Sequence, residues 1–152
     1  REAFRPFAPS VLEERADEFF EFPEAERHFP ARFMLYVCPV REEKRSVLPA
    51  ITHEDGSGRL QTVYQATNPA YHRVIERFGE LTGVPVIMNT SFNLKGEPIV
   101  EDPSHAFNTF SLSGMDLLFL NNYVVRADAK KKIADTRFTL RHEGDSVTEM
   151  VS

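Results

Sequence analysis

The hydrophobic and polar positions divide the chain into short segments of differing period. From Ser10, the apolar residues Val11, Leu12, Phe19 and Phe20 recur within an acidic stretch, which predicts a short helix ended by Pro23. Residues 33–40, FMLYVCPV, are rich in β-branched and aromatic side chains and too short for a helix, which predicts a buried strand. The charged run 41–45, REEKR, connects it to an extended region around 47–53. Asp55-Gly56-Ser57-Gly58 then has turn composition, and a strand follows near 59–64. The strongest helical signal comes next. Asn68 can cap it, Pro69 suits its first turn and Gly83 stops it, and Tyr71, Val74, Ile75, Phe78 and Leu81 form its apolar stripe. Val84-Pro85-Val86-Ile87-Met88 predicts a central strand that empties into the polar loop Asn89-Thr90-Ser91-Phe92-Asn93, closed by Lys95-Gly96-Glu97-Pro98. Asp102-Pro103 opens a further helix with Ala106, Phe107 and Phe110 on its apolar face. Residues 117–120 and 123–125 predict a hairpin around Asn121-Asn122. From about Ala127 the pattern degrades, and residues 127–152, with Lys130, Lys131 and Lys132 as a solvated face, read as a peripheral tail, either an added strand or a flexible linker.

Strands interleaved with helices place the chain in the α/β or α+β class with a mixed sheet. The length of 152 residues suits one domain, and 41% hydrophobic with 27% charged residues excludes bulk disorder. Eighteen Lys and Arg against 23 Asp and Glu leave a net charge of −5, which argues against nucleic acid as a partner. A single cysteine, Cys38, excludes an intrachain disulfide framework and a cysteine-based zinc cluster. No apolar run approaches the roughly 18 residues of a membrane span, and no secretory or transit segment is present, so a cytoplasmic location is expected. The chain starts at Arg1-Glu2 without an initiator Met and runs at once into patterned sequence, as expected of a piece of a longer polypeptide.

Candidate chemistry concentrates at the end of the strand at 84–88. Ligands of open α/β sheets bind beyond the carboxyl ends of strands. The loop there offers hydroxyls, amides, a lysine and a glycine, a set that suits phosphate or carboxylate. A polar turn whose Asn and Ser side chains bond their own backbone would look the same, so the residues alone leave both readings open. His53, Glu54 and Asp55 could be metal ligands, yet no second histidine completes a set and the turn is the better reading. Arg59, directly after that turn, can grip an anion bidentately. Arg1 and Arg5, taken alone, are ordinary solvated arginines. His28, His72, His105 and His142 show no ligand spacing, and Cys38 in an apolar segment is an inert buried thiol.

Three blocks change that picture: REAFRPFAPSVL at 1–12, PAITHEDGSGRLQTV at 49–63 and TGVPVIMNTSFNLKGEPIVEDPSHAF at 82–107. In content and order they resemble the C-terminal region of the O-carbamoyltransferases, a family that includes the nodulation NodU enzymes and antibiotic-tailoring enzymes of the tobramycin and cephamycin pathways. The resemblance covers about residues 1–126. It implies a YrdC-like fold, a twisted mixed sheet flanked by helices with an open concave ligand surface. It further implies that this part takes carbamoyl phosphate and ATP, the latter with Mg, and makes carbamoyl-adenylate. A preceding actin-like domain of the same polypeptide, unmatched here, would hold a metal and transfer the carbamoyl group to a substrate hydroxyl; no metal site is expected in this part. By the resemblance, Arg5 and Arg59 are the anion clamps, with Arg1 a lesser candidate for substrate or nucleotide binding. Asn89, Thr90, Ser91 and Asn93 match the Thr-Ser-x-Asn loop that would hold the nucleotide phosphates and the carbamoyl group. Two departures stand out. Asp55-Gly56-Ser57 replaces the family's Asp-Gly-Thr, and a lysine that the family carries shortly upstream of its first arginine falls outside this chain, so the piece is not expected to be active alone. The alternative is a YrdC-like module that binds a nucleotide or RNA without chemistry of its own.

Overall fold

In a computed structural model of the chain, residues 7–127 are described, together with the backbone of two strands at 138–142 and 147–150. The chain divides between Thr90 and Ser91 into two units.

The first unit begins with β1, Ala8–Leu12, all five residues of which are buried. This corrects the helix expected from Ser10. The apolar pair Val11-Leu12 belongs to a strand, and helix is confined to a 3-10 turn at Glu13–Arg15 and the single turn α1, Ala16–Phe19. Two adjacent apolar residues suit a strand covered on both faces as well as they suit a helix, and burial decides between them. Two further 3-10 turns follow, Ala25–Arg27 and Phe29–Phe33. The strand expected over 33–40 shrinks to β2, Cys38–Pro39. Phe33 belongs to the preceding 3-10 turn, Met34 closes that turn at a left-handed φ of 57°, and Leu35 is 72% exposed. The region expected to be extended around 47–53 is instead a 3-10 helix at Glu42–Val47 followed by turns. The turn at Asp55–Ser57 runs into β3, Ser57–Gly58, which pairs antiparallel with β2.

Next come β4, Gln61–Val63, the helix α2, Pro69–Thr82, and β5, Val86–Asn89, each where the sequence predicts it. In α2 the Asn68 side chain accepts from the Tyr71 N–H, and Gly83 closes the helix at φ 79°. The expected stripe, however, is not the buried one. His72, Ile75 and Gly79 face inward, while Val74, Phe78 and Leu81 are exposed. A Cβ on Gly79 would lie 2.7 Å from Cβ of Pro85, so glycine is what lets α2 lie this close to the entry of β5.

β1 is the central strand, parallel to β4 from Ser10 to Leu12 and antiparallel to β5 from Ala8 to Val11. Register and alternation set its two faces. Val11 and Val86 join the main core with Phe19, Phe20, Phe22, Val40, Ile51 and Leu60. On the opposite face, Leu12, Val63 and Ile87 pack against Ile75 and Tyr71 of α2. Farther along that second face the strands carry Ser10, Gln61 and Asn89, so the face is apolar under α2 and polar beyond it.

The second unit contains α3, Pro103–Leu112, capped by Asp102, whose carboxylate accepts from the His105 N–H at 2.8 Å. β6, Leu117–Leu120, and β7, Tyr123–Ala127, form the predicted hairpin, with Asn121 supplying the left-handed turn position at φ 51°. Ala106, Phe110, Leu118 and Val125 make its core. β8, Phe138–His142, and β9, Val147–Met150, extend the sheet in the order β6-β7-β8-β9. The architecture is thus mixed α/β, and among the described residues no helix is long and apolar enough to cross a membrane.

The orientation of α2 can be tested directly. Ile75→Ala should cost about 2–5 kcal/mol of stability, whereas Leu81→Ala should stay within about 0.5 kcal/mol. Chemical denaturation of the two variants measures both, and equal losses would mean that the helix buries the other stripe.

Candidate ligand-binding site

The polar end of the three-stranded sheet is built by one bonded chain of side chains. Ser10 is fully buried, and its hydroxyl donates to Oε1 of Gln61 at 2.6 Å. The Asn89 amide donates to the same oxygen at 2.7 Å. The Gln61 amide donates in turn to the main-chain carbonyl of Arg32 at 3.1 Å. The Arg32 guanidinium lies over the Tyr64 ring at 3.5 Å from its centroid and 5.2 Å from that of Phe29. This stacking anchors the 3-10 turn that presents the carbonyl. Sequence reasoning placed Asn89 at the site but missed Ser10, Gln61 and Arg32. The available signal was the polar Ser10 within PSVL and the polar Gln61 within LQTV, each inside a strand segment flanked by apolar residues.

Arg59 lies between β3 and β4, exposed, with no hydrogen bond or ion pair among the described residues. Its neighbours Gly58 and Leu60 are buried, so the backbone beneath the guanidinium is fixed. The turn before it is self-contained. The Ser57 N–H and hydroxyl both donate to Oδ1 of Asp55, at 2.9 and 2.7 Å, and these bonds hold the Asp55 carboxyl below its ordinary range. Nδ1 of His53 lies 3.2 Å from the Ser57 hydroxyl. The hydroxyl hydrogen is committed to the carboxylate, so the group is a structural turn, not a nucleophile with a base behind it. Gly56, at φ 82°, leaves room for Arg45, whose guanidinium carbon would lie 2.6 Å from a Cβ there. Arg45 donates to the Val40 carbonyl at 3.1 Å and so braces the turn.

In the second unit the loop after β5 largely satisfies itself. The Ser91 hydroxyl donates to Oδ1 of Asn93 at 2.5 Å, and the Asn93 amide donates to the carbonyls of Leu94 at 3.2 Å and Glu97 at 2.9 Å. The structure therefore brings Ser91 and Asn93 together, with Asn93 as the staple of the loop and Ser91 exposed. Thr90 is exposed at the end of β5, and Lys95 is exposed on the loop. Arg1 and Arg5 lie outside the described residues. Among the described residues no three His, Cys, Asp or Glu side chains are grouped to hold a metal ion.

The sequence matches the family described as the carbamoyltransferase C-terminus over residues 1–127. The chain belongs to that family. It is 52% identical over 126 residues to nodulation protein NolNO of Sinorhizobium fredii, covering 83% of this chain and 18% of the relative. Nodulation protein NolO of Bradyrhizobium diazoefficiens is 52% identical over 126 residues, with 83% of this chain and 23% of the relative covered. The 3'-hydroxymethylcephem-O-carbamoyltransferase of Amycolatopsis lactamdurans is 41% identical over 100 residues, covering 66% of this chain and 18% of the relative. The chain thus spans about a fifth of the length of these curated relatives. The family resemblance drawn from the three sequence blocks is borne out, and the matched residues contain every candidate position named above.

Cys38 takes no part in this site. Burial, with the Glu21 charge adding to it, pushes its thiol up to about 11. At pH 8 only about a thousandth of it is thiolate, so a disulfide reagent that needs the thiolate should react slowly with the folded protein and fast after denaturation. Rapid modification of the native protein would contradict the buried placement.

Proposed function

We propose that this family member is the carbamoyl-activating part of an O-carbamoyltransferase, taking carbamoyl phosphate and ATP and producing carbamoyl-adenylate. The observation that carries the proposal is Arg59, exposed and unpartnered among the described residues, in a chain that matches the carbamoyltransferase C-terminus throughout residues 1–127. An arginine with no internal carboxylate keeps its donors for a ligand, and phosphate geometry suits its fork.

Mass balance fixes the steps. Water takes the phosphoryl group of carbamoyl phosphate, releasing inorganic phosphate and carbamate. A carbamate oxygen then attacks the α-phosphorus of ATP, and pyrophosphate leaves. Negative charge grows on the oxygens around the attacked phosphorus, and fixed cationic donors lower that barrier. Arg59 and Arg5 would supply these donors, and Arg1 would be a further substrate-binding residue. Asn89, Thr90, Ser91 and Asn93 would hold the carbamoyl group and the nucleotide phosphates. In that role Asn93 shapes the loop while Ser91 offers its lone pairs, as their mutual bond favours. Magnesium would arrive on the nucleotide phosphates as part of the substrate. Transfer to a hydroxyl would fall to another domain of the same polypeptide, a division supported by relatives of which this chain covers about a fifth.

The proposal is tested by exchange of labelled pyrophosphate into ATP by the full polypeptide. Exchange should require carbamoyl phosphate, and Arg59→Ala should lower it by about 10²-fold or more. Exchange that is absent in the parent protein, or unaffected by the variant, would refute it.

A further inference from the structure

The Asn89 side chain has two chemically opposite ends, and the end left toward a ligand decides what it can recognise. That choice is made by Arg32 and passed along a chain of bonds that run one way. The carbonyl oxygen of Arg32 can only accept, so Gln61 must turn its amide nitrogen toward it, 3.1 Å away. Oε1 of Gln61 then lies on the other side and accepts from the Ser10 hydroxyl at 2.6 Å and from the Asn89 amide nitrogen at 2.7 Å, which occupies both of its lone pairs. Flipping Gln61 would set Oε1 against the Arg32 carbonyl, and flipping Asn89 would set two amide oxygens against each other. Each flip brings two acceptors face to face without a proton between them. Oδ1 of Asn89 is therefore the outward end, and no donor reaches it among the described residues.

A carboxamide oxygen accepts N–H and repels phosphate oxygens. We infer that Gln61 is a positioning residue that holds Asn89 as an acceptor for an N–H donor of the substrate, so that this end of the sheet selects a ligand bearing an amino or amide nitrogen over one of the same shape without it. The inference rests on the proposed substrates, whose carbamoyl NH2 and adenine amino group share that chemistry. It assigns Asn89 to reading a neutral nitrogen and leaves anion binding to the cations. Because the three bonded side chains stand on three different strands, the acceptor is held by the sheet itself and not by loop geometry.

Competition titrations on the full polypeptide test this with two matched pairs. Carbamoyl phosphate against acetyl phosphate removes the carbamoyl nitrogen, and ATP against purine riboside triphosphate removes the adenine amino group. The parent protein should favour the amino-bearing member of one pair by about tenfold, and the pair affected identifies which nitrogen Asn89 reads. Gln61→Leu should bring that ratio close to one. Gln61→Glu keeps an acceptor for the Asn89 amide but sets a second oxygen against the Arg32 carbonyl, so its ratio should fall between those of the parent and of Gln61→Leu. Unchanged discrimination in Gln61→Leu would overturn the inference while leaving the proposed substrates standing. If the parent protein bound neither substrate, the substrate proposal would fail instead, and the side-chain amide resonance of Asn89 in labelled protein would decide the positioning claim. A hydrogen-bonded shift lost in Gln61→Leu upholds it, and a resonance indifferent to that substitution sinks it.

Discussion

The first unit depends on a strand that has no free side. β1 is paired along both edges and covered on both faces, and every one of its five residues is buried. Four of them tolerate that environment because they are apolar or proline. Ser10 does not, since a buried hydroxyl without a partner costs about 1–3 kcal/mol. Gln61, its register partner on β4, satisfies it and cannot itself be left half bonded, so the Arg32 carbonyl and the Asn89 amide complete the set. One buried polar group thus commits residues from β1, β4, β5 and the 3-10 turn at Phe29–Phe33 to a single arrangement.

That arrangement explains how the sheet can be core at one end and a site at the other. Under α2 the second face of the sheet is aliphatic and closed by Ile75. Beyond the helix it turns polar, at the carboxyl end of β5, where the chain leaves the sheet at Asn89. Arg59 is held just before β4 on backbone fixed by two buried neighbours. Among the described residues, Arg59 is a cation with no partner and Oδ1 of Asn89 an amide oxygen with no donor, complementary needs for an anion and for a neutral N–H. Carbamoyl phosphate carries one group of each kind.

Much of this was legible in the sequence where the signal is local. Asn68, Pro69 and Gly83 mark the limits of α2 because caps act through the nearest backbone groups. Asp102 marks α3 in the same way. The short apolar runs were not legible. FMLYVCPV has strand composition, yet only Cys38 and Pro39 are strand, because Phe33 and the left-handed Met34 finish a 3-10 turn. Val11-Leu12 looked helical because the strands that cover it lie about 50 and 75 residues away in the chain. The stripe on α2 misled for a related reason. Periodicity shows that one face is apolar, but the inward face carries His72, bonded to Glu14, and Gly79, which lets the helix approach Pro85, and neither is a hydrophobic side chain. The candidate site was half legible. Motif resemblance brought out Asn89 and Arg59, whereas Gln61 has a role only through bonds across three strands.

As proposed, the polar end of this sheet, with Arg59, receives an activated carbamoyl group. The most direct measurement is a crystal structure of the protein soaked with carbamoyl phosphate. The phosphate should lie against the Arg59 guanidinium, and no phosphate oxygen should come within about 3 Å of Oδ1 of Asn89, with the Asn89 and Gln61 amides unmoved. A phosphate lodged against Asn89, or a ligand bound away from both residues, would contradict it.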